Sequence, residues 1–389
     1  MRVVVASQAG REAGLTESLR SVLQQTHPAV ELVLVQRGGD SGEGQARLAA
    51  ALAGLSSKHP TDVLHLKRDP GWAAAVNAAL HGCPGPLGLL LSPGAVLEAD
   101  AVSAAVGCSL RRPQVAGFAL KIRFLEDPDV ISSVGVDYGW RGELFPRGRG
   151  EVDLGQFDID ESVWGLSSEC AVIRSDAWAT DRVGQLDSRF AGQLGDADWC
   201  LRAALYGERL ANASGAACLA AHPGTSQRPS RSAQLKLAIK NFESWHLRGF
   251  LLRAGTRRLP AAGERSRSAL EALGDIQQLT SLRAERREVQ SRRQRHDAEF
   301  FCIAADRPPL QSAGPADGHS WAAVKAALGR LYAVTGDQRW LPAYEYLQVV
   351  EQFEVVLPRP EMLRHLLDLA GPLPEALVRY AGSISGGGA

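Results

Sequence analysis

A mostly parallel α/β sheet flanked by helices and followed by a helical C-terminal extension is the fold class this sequence predicts. Two observations carry the prediction. Short continuous apolar runs alternate with segments of helical periodicity through the first hundred residues, the pattern of strands buried on both faces. After about residue 225 helical spacing takes over.

Val3 to Ala6 reads as a buried strand, and Leu15, Leu19, Val22 and Leu23 then recur at helical spacing up to His27-Pro28. A second strand is expected at Glu31 to Val35, a helix at Ala46 to Leu55, a strand at Val63 to Leu66, a helix at Trp72 to Leu80 and a strand at Leu87 to Leu91. From Val115 to Trp164, glycines and aromatic residues replace helical periodicity, which predicts extended segments with long loops. Ala171 to Arg174 is a further strand candidate and Asp198 to Tyr206 a helix. Gln234 to Leu252 reads as one helix, Ser266 to Phe300 as an Arg-rich helical segment, and Trp321 to Tyr332 with Leu341 to Phe353 as a helical pair beyond a linker around Pro308 to Gly318. The expected division is 1–225, 226–305 and 306–389, within the usual domain sizes.

The 389 residues carry 43 basic and 43 acidic side chains, a balance that argues against a nucleic-acid partner. Met1 to Ala6 lacks the features of a signal peptide and no stretch approaches the roughly 18 apolar residues of a membrane span, so a cytoplasmic location is expected. Cys83, Cys108, Cys170, Cys200, Cys218 and Cys302 are scattered without Cys-x-x-Cys spacing, as reduced structural thiols would be.

Ligands of open parallel sheets bind beyond the carboxyl ends of the strands, where loops and helix N-termini converge. Ser7 to Arg11, Gln36 to Gly42 and Arg68 to Trp72 are small-residue turns at such ends. These segments line up with a known family. Glu17-Ser-Leu-Arg-Ser-Val-Leu-Gln-Gln-Thr-His-Pro28, Asp69-Pro-Gly-Trp-Ala-Ala-Ala-Val-Asn77, Gly150-Glu-Val-Asp-Leu-Gly-Gln-Phe-Asp158, Gly184-Gln-Leu-Asp-Ser-Arg-Phe190 with Gly195-Asp-Ala-Asp-Trp199, and His222 resemble, in order, the motifs of family 2 glycosyltransferases of the rhamnosyltransferase-like group. The resemblance implies a GT-A fold and inverting transfer of a sugar from a nucleotide diphosphate-sugar donor to a bacterial surface glycan or lipid-linked acceptor.

On that resemblance Asp196 takes the place of the catalytic base, and its alternative role is to cap the following helix. Gly195 replaces the Glu that precedes the base in the family. Donor binding falls to Ser7, Gln36, Arg37, Asp69, Asn77, Ser92 and Gly94, with Gln36 in place of an Asp and Arg37 either on phosphate or solvated. Gly94, within Ser92-Pro-Gly-Ala95, stands where a metal-holding carboxylate belongs, so a Mg²⁺ or Mn²⁺ cofactor is placed in doubt. Arg11, Arg147 and Arg174 are candidate cationic substitutes, and His222 a candidate ligand to a diphosphate oxygen or a metal. Asp198, Trp199, Trp164 and His222 are expected near acceptor or diphosphate, with core packing the alternative for Trp199. The helix around Lys236 to Leu252 either lies in a membrane surface, with Phe242, Trp245, Phe250 and Leu251 inward and Lys240, Arg248 and Arg253 at headgroups, or packs on the sheet domain; dimerisation through the C-terminal helices is a further expectation. A competing reading is a catalytically impaired relative that binds a glycan, a nucleotide or a partner. A dinucleotide-binding dehydrogenase is disfavoured, because no Gly-x-Gly-x-x-Gly follows the first strand.

Overall fold

The structure is a computed structural model that describes residues 1–8, 14–38, 59–139, 143–190, 194–221, 230–256, 282–301, 321–352 and 365–366. The helix expected at Ala46 to Leu55 lies outside the described residues. The apolar runs form β1 (Arg2–Gln8), β2 (Glu31–Arg37), β3 (Thr61–Leu66) and β4 (Leu87–Leu91), all parallel, with α1 (Leu15–Leu23) and α2 (Trp72–Leu80) between them. Further along come β5 (Ala95–Leu97), α3 (Ala101–Arg111), β6 (Val115–Phe124), β7 (Ile131–Ser133), β8 (Val136–Tyr138), β9 (Leu144–Pro146), β10 (Ser162–Val163), β11 (Cys170–Arg174), α4 (Gly195–Leu205) and β12 (Arg209–Ala220).

The sheet order is β10-β12-β6-β11-β4-β1-β2-β3, with β5 on β12 and β7 on β6. β11 runs antiparallel to both of its neighbours, whereas β6 and β12 are parallel to each other. Alternation along each strand divides the core. Val3 and Val5 face α1 and α3 on one side; Val4 and Ala6 face α2 and α4 on the other. Cys108, Cys170, Cys200 and Cys218 are buried free thiols.

The chain after β12 supplies α5 (Arg231–Asn241), α6 (Ser244–Thr256), α7 (Arg283–Ser291), α8 (Trp321–Thr335) and α9 (Leu341–Gln352). The single helix expected over Gln234 to Leu252 is broken at Phe242, whose extended backbone (φ −73°, ψ 147°) ends α5. The Arg-rich segment is α-helical only over α7 among its described residues; Arg283 and Arg287 are exposed, whereas three other guanidiniums engage neighbouring elements. Arg286 donates to the Ile239 and Phe242 carbonyls at 2.6 and 2.7 Å, Arg292 lies 4.2 Å over the Tyr206 ring, and Arg293 pairs with Asp297 at 2.8 Å. These three charges cap or clamp neighbouring elements. The α8–α9 hairpin buries Val324, Leu328 and Trp340 with Val152 and Leu154 of the 150–158 turn, and Arg330 donates to Glu151. Among the described residues, no helix is long and apolar enough to cross a membrane.

Gly14 precedes α1 with φ 73°, and a Cβ there would come 2.6 Å from the Gly94 Cα. Gly94 itself has φ 92° and donates its N–H to Ser18 Oγ at 2.8 Å. Two glycines thus let α1 start against the turn after β4. Gly14→Ala is expected to cost about 1–3 kcal/mol, read as a lower thermal unfolding midpoint.

Candidate active site

The carboxyl ends of β1, β2, β3, β4 and β6 share one edge of the sheet, and the antiparallel β11 brings its beginning, not its end, to that edge. Ser92 is held there by two bonds. Its N–H donates to the Glu169 carbonyl at 2.9 Å and its Oγ to the Ser168 carbonyl at 3.0 Å. The Ser168 N–H in turn donates to Asp196 Oδ2 at 3.3 Å. One peptide strip therefore ties the end of β4 to the start of α4.

Leu194 sits in the left-handed region (φ 61°) just before α4, the sole non-glycine to do so among the described residues. Such a conformation costs about 1–3 kcal/mol and persists only where surrounding contacts enforce it. It aims the first turn of α4 so that half-buried Asp196 lines a crevice with Ser167, Ser168, Leu90 and Leu186, while Asp196 Oδ1 accepts the Ala197 N–H at 2.8 Å.

Asp198 does the opposite. It is completely buried and accepts hydrogen bonds from Arg202 Nε (2.9 Å), Lys240 Nζ (2.8 Å) and Asn241 Nδ2 (2.9 Å). Burial alone would raise its carboxyl, but the Lys240 and Arg202 charges and the Asn241 N–H outweigh that and hold it below the usual carboxylate range. Asp198 is thus a structural anchor, and the expectation of an acceptor or diphosphate contact is corrected. Trp199 is corrected in the same way: 1% exposed, it donates Nε1 to the Gly184 carbonyl at 2.8 Å and packs on Trp178. Trp164 packs on Phe300, with ring centroids 5.7 Å apart. Cys200 accepts the Leu166 N–H, and burial pushes its thiol up to about 12, leaving it unreactive.

On the donor side, Ser7 Oγ is buried at the end of β1 with no partner among the described residues. Gln36 Oε1 accepts from His65 Nδ1 at 2.9 Å, which leaves the Gln36 amide N–H groups for a ligand. Arg37 and Asp69 engage each other at 3.1 Å, and Asp69 also caps the Gly71 N–H at 2.8 Å. Asn77 is consumed by structure: it exchanges hydrogen bonds with both backbone groups of Leu186, at 2.8 and 3.0 Å, and so is not a donor-binding residue. Arg174, at the end of β11, lies at the opposite edge of the sheet and pairs with Asp176, which removes it as a phosphate clamp; Arg147 pairs with Glu161. Arg11 and His222 lie outside the described residues.

Placed beside these residues, the comparisons report on architecture. The chain superposes on the crystal structure of GalNAc-T7 with UDP, GalNAc and Mn²⁺ with a TM-score of 0.51 and 12% identity, covering 67% of this chain and 51% of that one. The fold is GT-A. The chain spans about half the length of that structure. Weaker superpositions include S. aureus TarS 1-349 (TM-score 0.43, 13% identity, 90% of this chain and 86% of that one) and the mannosyltransferase PcManGT from Pyrobaculum calidifontis in complex with GDP-Man and Mn²⁺ (0.42, 16%, 78% and 87%). No family model matches the sequence, and no curated protein does at a significant level.

A GT-A fold invites a divalent cation, and the donor set present does not fit one. Gly94 and Ala95 offer no side-chain oxygen, and no cluster of three His, Cys, Asp or Glu side chains suited to a metal occurs among the described residues.

Glu169 and Arg149 are the charged groups the sequence reading missed. Burial raises Glu169 above the ordinary glutamate value; the Arg149 guanidinium opposes the rise and the Asp196 charge adds to it. The missed signal was strand direction. With β11 antiparallel, the residues preceding that strand reach the functional edge, and a search confined to loops following strands passes over them.

Removing one partner of a buried ion pair strands the other, so Asp198→Asn is expected to destabilise the protein by about 3–5 kcal/mol in denaturant titration. For Glu169, whose folded pKa is raised, stability is fully present below the unfolded value and is lost as pH rises through the folded one. Glu169→Gln should therefore raise the melting temperature at pH 7 and leave it unchanged near pH 4.

Proposed function

We propose that this chain is an inverting glycosyltransferase of the family 2 type that moves a sugar from a nucleotide diphosphate-sugar to a glycan or lipid-linked acceptor of the bacterial cell envelope. The observation that carries the reading is Asp196: a half-buried carboxylate at a strained helix start, opening on a crevice at the carboxyl edge of a GT-A sheet.

Transfer needs a base for the acceptor hydroxyl and a donor site that holds the nucleotide. The acceptor oxygen attacks the anomeric carbon, its proton passes to the Asp196 carboxylate, and the bond to the diphosphate breaks with the electron pair leaving on the nucleotide. One displacement inverts the anomeric centre. Ser7 and the oriented Gln36 amide supply donors on the nucleotide side, the latter suited to a base carbonyl.

The helix α6 favours a peripheral contact with the membrane that would hold a lipid-linked acceptor, since Trp245 and Leu251 are exposed with Arg248 on the same helix. Its inward partners differ from expectation: Phe242 and Lys240 are buried within the protein, and Lys240 is bound to Asp187 and Asp198.

The second reading, a catalytically impaired nucleotide- or glycan-binding module, is favoured by the Gly94 position. Turnover of UDP-, GDP- and dTDP-sugars, with anomeric configuration followed by proton NMR, separates the two. The expected result is an inverted product, a loss of about 10²- to 10⁴-fold in kcat for Asp196→Asn, and no effect of EDTA. An unimpaired Asp196→Asn enzyme removes Asp196 from the chemistry, and absence of turnover with every donor favours the binding module.

A further inference from the structure

We infer that a cavity at the sheet edge opposite Asp196 is a second ligand site, and that it takes a compact aromatic carboxylate. The inference does not depend on the glycosyltransferase reading, because neither Asp196, Ser7 nor Gln36 lines this cavity.

Placement is the first argument. The cavity, of about 260 Å³, lies between the end of α2, the start of β4, the end of β11 and the short 3-10 turn Ser175–Trp178. Its walls are fixed by their own hydrogen bonds. The Ser175 N–H donates to the Pro86 carbonyl at 2.9 Å and its Oγ to the Gly85 carbonyl at 2.6 Å, which ties the turn to the segment before β4. On the other side the His81 N–H donates to the Asn77 carbonyl at 2.9 Å and the Cys83 N–H to the Leu80 carbonyl at 3.0 Å, closing the end of α2. Trp178 packs on the buried Trp199, with ring centroids 5.9 Å apart, so the indole of the cavity wall is backed by the core. A cavity formed in advance spares its ligand the cost of ordering the walls.

The lining defines the ligand. Leu80, Ile173 and Trp178 supply apolar surface. The volume exceeds the roughly 150 Å³ that holds one benzene ring and falls short of the roughly 300–1,000 Å³ of drug-sized sites, which points to one or two fused rings. Among the described residues that line the cavity, Arg174 and Gln185 offer donors and none is an acid. Arg174 gives Nε and Nη2 to Asp176 at 3.1 and 3.4 Å, and its Nη1 donates to no described residue. Arg182 also holds Asp176, at 2.7 Å, so that carboxylate does not occupy the whole Arg174 fork. The Trp178 Nε1–H is buried in the same wall without an acceptor, a second donor in deficit. A guanidinium with an N–H to spare beside apolar surface matches a carboxylate on a flat ring; a cation placed there would meet Arg174 and no acid.

The test uses the full chain with 2-naphthoate as the probe and 2-naphthamide as its neutral counterpart. Calorimetric titration is expected to show saturable binding of naphthoate at about 1 mM or tighter. Naphthamide with wild type, and naphthoate with Arg174→Gln, should each bind at least about tenfold more weakly, the loss of one charge-assisted hydrogen bond. Arg182 keeps Asp176 paired in that variant. Ala179 lines the cavity from an exposed position, so Ala179→Phe should fill the space, remove binding and leave the melting temperature unchanged. Cys83 locates the probe: it lines the cavity and is half-buried, whereas Cys108, Cys170, Cys200 and Cys218 are buried. Naphthoate should slow alkylation of Cys83 by iodoacetamide, read by peptide mass spectrometry, with half-maximal protection at the calorimetric Kd. No binding of naphthoate, equal affinity for naphthamide, full affinity in Ala179→Phe or unprotected Cys83 would each overturn the inference. Displacement of naphthoate by UDP or GDP would place the probe in the transfer site and overturn it as well.

Discussion

The buried contact between Asp198 and Lys240 is the interaction on which the geometry of the site depends. It joins α4, which carries the site acid, to α5, the first helix beyond the sheet, and Lys240 extends the link to Asp187 in the loop before α4. Taking these charges out of water is expensive, and their mutual attraction with Arg202 and Asn241 little more than offsets that cost. What the network provides is a fixed rotation of α4. Residues two apart on a helix lie about 200° apart around its axis, so pinning Asp198 inward turns Asp196 outward to the crevice. A helix whose inner acid were replaced by an apolar residue could slide or roll; one held by three directional bonds cannot do so without stranding a charge.

A second buried ionic node repeats this logic farther along the chain. Asp297 accepts from the Glu243 N–H, His246 and Arg293, while Phe242, His246 and Phe301 pack ring on ring. This node fixes the break between α5 and α6 and brings α7 onto α5, where Arg286 closes the carbonyl end of that helix. The Arg-rich composition was plain in the sequence, but its direction was not. Whether a guanidinium faces solvent, a lipid headgroup or a helix terminus depends on carbonyls supplied by segments some fifty residues away, and periodicity within one segment carries no information about them.

The early strands and helices were legible because their apolar runs obey local periods: Leu15, Leu19 and Val22 lie on one face of α1, and β1, β2 and β4 are buried on both faces. The first turn of α4 was legible to the extent that Asp196 and Asp198 were recognised as a pair. Their opposite fates were not, since Asp198 is sealed by Lys240 and Asn241 from another helix. Asn77 was misread for a similar reason, its amide being taken by the Leu186 backbone more than a hundred residues away. Strand direction was the largest hidden variable. The residues Cys170 to Arg174 read as a strand in either orientation, yet antiparallel pairing moves Glu169 to the functional edge and Arg174 away from it.

The glycine at 94 bears on how the proposed site meets a leaving diphosphate. A carboxylate beside a departing diphosphate is tolerable only when a cation lies between them; without the cation, two unit charges 4 Å apart repel by about 4 kcal/mol at an effective dielectric of 20. Losing the metal while keeping its acid would therefore be worse than losing both. Here Gly94 and Gln36 place no carboxylate at those two positions, and burial raises Glu169, whose carbonyl holds Ser92, above the ordinary glutamate value. Gly94 also has a packing reason to be glycine, because α1 begins in contact with it through Gly14. Under the proposed transfer, Gly94 and Gln36 keep negative charge off those two positions and leave Asp196 as the base. That arrangement suits a transferase that meets the leaving charge with neutral hydrogen-bond donors.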